Sequence, residues 1–353
     1  MGKTPVRLLI ISQKDDQTVE YISPFLEQFN ISWVQWDTGN VPIVSLAGIL
    51  VSSERSICEF STRSDSSALN LSSDFDVLWY RRPVMQHAPV GAPTEDVIEL
   101  INDETAALIS NFYAVSEIPR VNCPIVGRFA SHKALQLKIA VACGLDVPRT
   151  YFGNDSRRVR ELFNDCDGRL VLKPFRAVSL RAGDGDDERT LYTSRVFESD
   201  LLEDKVVSAC PSIWQERIDK LFEIRVTIVG DKLFAAELDS QLHGASFDDW
   251  RRGVLSDIPH RVHLLPSDVA ERCVRLMNCF GLNFAAIDLV LATNGKYYFL
   301  ENNPFGQWAW IQDLCGLPIA EAHCDLFRSL ATKPRNRVQW VGAVAGQGDT
   351  LSS

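Results

Sequence analysis

Apolar positions first fall in an unbroken run, VRLLIIS at 6–12, then at helical spacing from about Thr18 to Phe29, then in a second short run from about Ser32 to Trp36. Short apolar runs read as buried strands and a 3.6-residue period as a helix, so the pattern predicts a βαβ opening. A Ser-rich polar stretch at 61–73, the strand DVLWYRRP at 76–83 and a helical pattern from about Glu95 to Tyr113 come next. Pro119 and Pro124 flank a short segment that marks a domain boundary. Beyond it, ASHKALQLKIAVACGLDVP predicts a helix capped by Ser131, with Leu135, Ile139 and Ala142 on one face and Gly144 as its stop. RLVLKPF and RTLYTSR read as strands on either side of a Gly- and Asp-rich segment, and the region 176–195 is expected to be mobile. From Trp214 onward, WQERI and LFEIRVTIVGDKLFAAELDS read as hairpins, succeeded by the polar loop QLHGASFDDWRRG. A helix from about Ser267 to Phe280, a final hairpin and a helix from about Pro318 to Leu330 complete the pattern. The tail after Lys333 reads as weakly ordered, and no internal repeat is visible.

With 353 residues, 46% hydrophobic and 23% charged, the chain is long enough to divide into two or three globular domains. A net charge of -10 and a pI near 5.2 exclude a general nucleic-acid or anionic-membrane surface, though not a local basic cleft. Nine cysteines without a CxxC pair suggest neither a disulfide framework nor a zinc ribbon, which fits a reducing cytoplasm. The opening MGKTPVRLLIISQKDD has too short an apolar run for a signal peptide, and Val6 stands where a myristoylation motif needs Ser or Thr. No apolar run reaches the length of a membrane span. DGDDER at 184–189 has Arg189 where a calcium loop needs Gly, HRVH at 260–263 sends its imidazoles to opposite faces of a strand, and Trp308 and Trp310 read as packing residues.

Candidate chemistry centres on the last hairpin. Asn294-Gly295 predicts a two-residue turn. Counting outward then pairs Thr293 with Lys296, Leu291 with Tyr298 and Asp288 with Glu301, setting two carboxylates opposite each other. Like charges so placed call for a proton or a cation. Asn303 extends the same face, and the all-oxygen set suits Mg²⁺ completed by water and substrate phosphates. Lys133 lies in the first turn of its helix and Lys173 at a strand end, both able to reach phosphate. Glu216 near a strand end, Ile218 after it and Glu223 seven positions beyond Glu216 suit a nucleotide, an exposed backbone segment reading an adenine edge while one carboxylate takes the exocyclic amine and another the ribose hydroxyls. Arg225 shares a strand face with Glu223 and Thr227 and suits phosphoryl oxygens. Each residue has a plainer reading: a solvated acidic pair, surface lysines, a Glu223–Arg225 salt bridge.

In order, Lys133, Lys173, the Gln215-Glu216 hinge, the Glu223-x-Arg225 strand, Asp288 and ENNP at 301–304 resemble the ATP-grasp ligases over about residues 125–330. DVLWYRRP, DWRR and ENNPFGQWAWIQDLCGLPI resemble the maturases of graspetides, the microviridin-type peptides. The resemblance implies an α/β (α+β) ATP-grasp fold: an N-terminal preATP-grasp domain (1–122), a central domain (123–212), a C-terminal ATP-grasp domain (213–332) and the tail (333–353). It implies an ATP- and Mg²⁺-dependent ligase that activates Asp or Glu side chains of a ribosomal precursor peptide as acyl phosphates. Ser or Thr hydroxyls, or a Lys amine, then close ω-ester or ω-amide rings.

Carried over residue by residue, the resemblance puts Lys133 and Lys173 on ATP phosphates, Gln215 to Ile218 on adenine and Glu223 on ribose. Asp288, Glu301 and Asn303 would hold Mg²⁺, and Arg225 the acyl phosphate. Asp249 and Arg251 would lie over the reaction centre, and Arg81 and Arg82 would steer acidic side chains. The segment after Lys173 lacks the GSxG-like pattern of many ATP-grasp enzymes. A leader-and-core peptide partner, with the leader beside 176–195, and a homodimer are implied as well. Two alternatives stand beside this reading: a ligase of the same fold acting on a small molecule or a protein tail, and a non-catalytic peptide-binding module.

Overall fold

The computed structural model describes residues 5–62, 68–83, 94–176, 179–181, 188–242, 249–253 and 257–333. The expected tail beyond Lys333 and the centre of the expected mobile segment, 182–187, lie outside the described residues. The chain divides into two compact units, Met1–Cys123 with Cys324–Ser353, and Pro124–His323.

The first unit opens with β1 (Val6–Ser12), α1 (Gln17–Gln28) and β2 (Ile31–Trp36), with β1 and β2 parallel. This is the βαβ start that the hydrophobic pattern predicts. Asp16, rather than a residue within the run, caps α1 by accepting from the Thr18 amide at 2.9 Å. Three strands then form an antiparallel sheet, β3 (Ser45–Val51), β4 (Ser56–Thr62) and β5 (Leu69–Asn70), with α2 (Leu71–Asp74) behind them. The first two of these are additions to the predicted elements, formed by SLAGILV and SICEFST on either side of the turn-forming SSER. Then come β6 (Val77–Arg82), α3 (Glu95–Val115) and β7 (Arg120–Val121), giving a parallel sheet in the order β2-β1-β6-β7. Leu9, Ile11, Phe60, Leu78 and Phe112 fill its core around Trp36, whose ring stacks on Phe60 at 4.2 Å.

The second unit begins with α4 (Pro124–Ala130) and α5 (Lys133–Ala142). Ser131 does not cap α5. The N-cap is His132, and Ser131 Oγ donates instead to the Gly127 carbonyl at 2.8 Å, the backward bond to residue i−4 that serine hydroxyls make at a helix. The most buried positions of α5 are Gln136, Leu137 and Ala140, with Leu135 and Ile139 packed beside them, and Ala142 is exposed. Next in the chain are β8 (Thr150–Gly153), α6 (Ser156–Asp165), β9 (Leu170–Lys173), the short pair β10 (Ser179–Arg181) and β11 (Glu188–Thr190), β12 (Ser194–Val196), α7 (Asp204–Ser208) and β13 (Ser212–Glu216). Four of these strands form an antiparallel sheet in the order β12-β9-β13-β8. WQERI therefore completes this sheet and forms no hairpin with the strand after it.

The hairpin proper is β14 (Lys220–Val229) with β15 (Lys232–Leu238). It joins β16 (His260–Val262), and, beyond α8 (Ser267–Cys279), β17 (Phe284–Ala292) and β18 (Tyr297–Asn303), in an antiparallel sheet ordered β16-β15-β14-β17-β18. α9 (Ala309–Cys315) and α10 (Ile319–Ala331) complete the described chain. No helix among the described residues is long and apolar enough to cross a membrane.

One face of this sheet carries Ile224, Val226, Ile228, Ala285, Ile287, Leu289 and Phe299 into a core shared with α5 and α8. Period-two alternation sends Glu223, Arg225, Ala286, Asp288 and Val290 to the other face. Phe299 is fully buried. Phe299→Ala should therefore cost about 3–5 kcal/mol of stability, measured as a lowered urea midpoint at an unchanged slope.

Candidate active site

The closing turn of β17 and β18 does not have the expected two-residue form. Ala292 and Lys296 close a three-residue loop, with the Ala292 amide donating to the Lys296 carbonyl at 2.9 Å and Gly295 at φ +79°. Pairing accordingly runs Leu291 with Tyr297, Val290 with Tyr298 and Leu289 with Phe299, one residue off the count from Asn294-Gly295. A bulge then leaves Leu300 without a partner in the ladder, and Asp288 faces Glu301 after all. The bulge also reverses the alternation. Phe299 points into the core, while Glu301 and Asn303 join the Asp288 face.

Across the sheet, Arg225 pairs with Asp288, and Asp288 with Glu301. Arg225, only 7% exposed, donates to Asp288 Oδ1 at 2.8 Å and to the Gln307 carbonyl at 3.0 Å. Lys133, at the first position of α5, donates to Glu301 Oε2 at 3.0 Å. The result is a row with a cation at each end and two carboxylates between. Burial pushes the Asp288 carboxyl up, and Glu301 adds to the rise against the pull of Arg225. Burial opposes ionisation of Glu301 too, but Lys133 and Arg251 outweigh it and hold that carboxyl at about 2.

Lys173, at the end of β9, donates to Gln215 Oε1 at 2.7 Å, and Gln215 Nε2 donates to Thr150 Oγ1 at 3.0 Å. Gln215 is thereby a buried holder of Lys173. Glu216 and Ile218 instead line a cavity of about 230 Å³ with Val171, Val290, Leu300 and Lys220. Glu216 also accepts from the Arg149 amide at 3.3 Å. Glu223 accepts from Lys220 and, at 3.0 Å, from Ser240 Oγ, so the simple Glu223–Arg225 bridge does not form. Three strands run from the cavity to charged side chains, β9 to Lys173, β17 to Asp288 and β18 to Glu301. Val171 lies two residues before Lys173, Val290 two after Asp288, and Leu300 one before Glu301. The cavity and the charged side chains thus share three strands of one unit. The apolar lining is not among the sequence candidates, because Val171, Val290 and Leu300 are indistinguishable from core residues until the two sheets are stacked.

Asp249 caps its own turn and grips Arg251 with both oxygens, at 2.8 Å each, while accepting from the Thr193 amide at 3.3 Å. Burial works against its charge, yet the Arg251 bonds hold it well below the usual carboxylate range. Asp249 therefore positions Arg251, whose charge reaches Glu301 and Asp288. In the first unit, Arg81 is buried against Asp16, at 3.8 Å, and donates to Thr18 Oγ1 at 2.9 Å, which makes it a structural cation there, whereas Arg82 is exposed. Trp308 is fully buried and stacks on His323 at 4.6 Å, and Trp310 packs against Trp250 at 5.2 Å.

No group of three or more His, Cys, Asp or Glu able to hold a metal gathers among the described residues. The two carboxylates of the row do share their face of the sheet with Asn303. Asn303 Oδ1 accepts from the Phe305 amide at 3.0 Å and keeps a second lone pair. An all-oxygen set with two opposed half-buried carboxylates fits a hard divalent cation that takes its remaining ligands from water and phosphate.

Solved structures share the fold over nearly the whole chain. A RiPP-associated ATP-grasp ligase from Chryseobacterium gregarium, in complex with ADP and a leader and core peptide, matches with a TM-score of 0.83 at 22% identity, covering 95% of this chain and 100% of its own. The macrocyclase MdnC from Microcystis aeruginosa MRC, bound with the precursor peptide MdnA, matches at 0.80 and 24% identity, over 92% of this chain and 100% of its own. Macrocyclase MdnB from the same organism matches at 0.75 and 26% identity, over 92% and 99%. No family model matches the chain, and no curated protein matches it in sequence. The chain has the ATP-grasp fold.

Burial lowers the pKa of the Lys173 ammonium to about 8. If Lys173 contacts nucleotide phosphate, it must carry its proton to bind. ADP affinity should then hold below pH 8 and fall as pH rises through it, by up to about tenfold per unit. Calorimetry across pH 7 to 9.5 should show this fall, and Lys173→Met should bind weakly with the slope flattened.

Proposed function

We propose that this chain is an ATP- and Mg²⁺-dependent ligase that activates side-chain carboxylates of a ribosomal precursor peptide and joins them, within the same peptide, to hydroxyls or amines. The observation that carries the reading is the row Arg225–Asp288–Glu301–Lys133 on strands whose neighbouring residues Val290 and Leu300 line the cavity. Adenine would lie against Val171, Val290 and Leu300 beside the 216–218 backbone, with Glu223 at the ribose and Lys133 and Lys173 at the phosphates. Asp288, Glu301 and Asn303 would hold Mg²⁺, which when bound offsets charge on the phosphoryl oxygens. The domains are taken as 1–122, 123–212 and 213–332; the first boundary lies beside the division at Cys123, while the second falls at the start of β13 rather than where the sheet changes, and the chain from Cys324 groups with the first unit.

The reaction transfers the terminal phosphoryl group of ATP to an Asp or Glu carboxylate, leaving ADP. Attack by a hydroxyl or amine on the acyl carbon then releases phosphate and closes an ester or amide. Arg225 is held from two sides by Asp288 and the Gln307 carbonyl, so its guanidinium is oriented before substrate arrives. Such preorganisation stabilises charge growing on the acyl and phosphoryl oxygens without reorganisation at the moment of reaction. Arg251, held by Asp249, adds a second cation. Arg82 would help to draw in an acidic core peptide, and the leader would bind beside the 176–195 segment. A cytoplasmic setting goes with the nine cysteines and their lack of a CxxC pair, and a homodimer is the assembly the resemblance implies.

Incubation with ATP, Mg²⁺ and a precursor peptide encoded beside the enzyme should give a product lighter by one water per ring. Transfer of a free amine or amino acid to another acceptor, with no water lost from the peptide, would instead select the intermolecular ligase. Asp288→Asn should lower ring closure by at least about a hundredfold with little change in melting temperature.

Gly306 offers a sharper test. A Cβ there would lie 2.4 Å from Ala286 Cβ and 2.9 Å from an Arg225 guanidinium nitrogen. Gly306→Ala should displace Arg225 and reduce turnover by about 10–100-fold, with a smaller effect on ADP affinity. Equal losses in both would reassign Arg225 to ground-state binding.

A further inference from the structure

β18 is the outer strand of its sheet, so among the described residues the main-chain groups on its far side have no strand to pair with. Buried main-chain groups in that position need other partners. The Phe299 amide donates to the Asp146 carbonyl at 2.8 Å, just beyond α5. At Asn302 the partner is a side chain. Gln136 Oε1 accepts from the Asn302 amide at 3.0 Å, and Gln136 Nε2 donates to the Asn302 carbonyl at 2.7 Å and to the Ala130 carbonyl at 2.6 Å. A carboxamide with one acceptor and one donor aimed at a single residue does what the peptide group of a neighbouring strand would do. Gln136 is only 2% exposed and Asn302 3%, so neither bond is shared with solvent.

Asn302 stands between Glu301 and Asn303, two of the three residues that form the oxygen face. Lys133, one turn before Gln136 on α5, holds the Glu301 side chain, so one helix fixes the carboxylate and the backbone that carries it. The Asn302 side-chain nitrogen and oxygen are buried and find no hydrogen-bond partner among the described residues, so they do not anchor the segment in its place. We propose that Gln136 is a positioning residue for the divalent-cation face: its amide clamps the Asn302 main chain and thereby sets the spacing of Glu301 and Asn303. The inference rests on the reading of that face as a cation site. The chemistry is specific to a carboxamide of this length. Leu supplies neither bond, and ionised Glu keeps the acceptor but loses the donor.

The test uses the full chain with Mn²⁺ and ADP, following free Mn²⁺ by electron paramagnetic resonance. Gln136→Leu should weaken Mn²⁺ binding in the presence of ADP by about tenfold or more, the usual consequence of losing an outer support of a ligand. Gln136→Glu, which conserves shape and, protonated in so buried a place, keeps one donor and one acceptor, should lose less and keeps the test readable if the Leu variant does not fold. ADP affinity in EDTA should move by less than about threefold in either, since the cavity lining does not touch Gln136. Glu301→Gln separates the two levels. If it weakens Mn²⁺ while the folded Gln136 variants bind as wild type, Gln136 is a packing residue and the cation site stands. If Glu301→Gln itself leaves Mn²⁺ affinity unchanged, the cation site fails, and the role of Gln136 with it.

Discussion

Asp288 and Glu301 face each other on neighbouring antiparallel strands, and the rest of the site is arranged around the cost of that opposition. Two half-buried carboxylates in register repel, and partial burial thins the water that would screen them. The repulsion is met from both ends of the row: Arg225 bonds Asp288 from the adjacent strand, and Lys133 bonds Glu301 from the start of α5. The two carboxylates differ in consequence. Glu301 lies near three cations and stays ionised, while burial and its neighbour push Asp288 upward. A pair balanced in this way holds its shape through the two flanking cations alone.

The Leu300 bulge makes the arrangement possible. In a regular strand Tyr297, Phe299, Glu301 and Asn303 would share one face, and either the aromatic rings or the polar groups would be misplaced. The extra residue lets the strand start with its aromatic side in the core and finish with its polar side in the site, and it leaves Leu300 itself on the cavity wall. Bulges re-aim side chains at functional positions for this reason. The bend comes where β18 has no further strand to stiffen it, and there the amide of Gln136 takes over the missing pairing.

How much of this is legible in the chain depends on the range of the interaction. Alternation within strands and the βαβ start are local, and both can be read directly. The opposition of Asp288 and Glu301 is reached from the sequence only through a wrong premise. A two-residue turn is assumed where three residues loop, and an unseen bulge cancels the one-residue error. Neither device has a signature strong enough to be read alone, since Asn-Gly serves both turn lengths and Leu300 looks like any strand residue. Partners 168 residues apart, as Lys133 and Glu301 are, or 63 apart, as Arg225 and Asp288 are, arise from tertiary packing and leave no local pattern. Gln215 is misplaced by sequence reasoning for the same reason. Its strand looks like part of the next hairpin, whereas it pairs between β8 and β9, where its amide meets Lys173.

The segment after the strand, PFGQW at 304–308, shows what a rigid site asks of a loop. Phe305 packs so closely on α4 that a Cβ at Gly127 would sit 2.2 Å from its ring. One residue on, Gly306 leaves room for the Arg225 guanidinium, and Gln307 turns its carbonyl to accept from it. Trp308 then anchors the end, fully buried against His323. Aromatic anchors on either side of a glycine fix a backbone carbonyl where no strand or helix could present one, and a buried guanidinium is aimed by that carbonyl as much as by its carboxylate. A strand that ends in carboxylate and amides and continues through Pro, Gly and Trp is therefore one device: the polar residues form the oxygen face, and the loop behind them points the arginine across it.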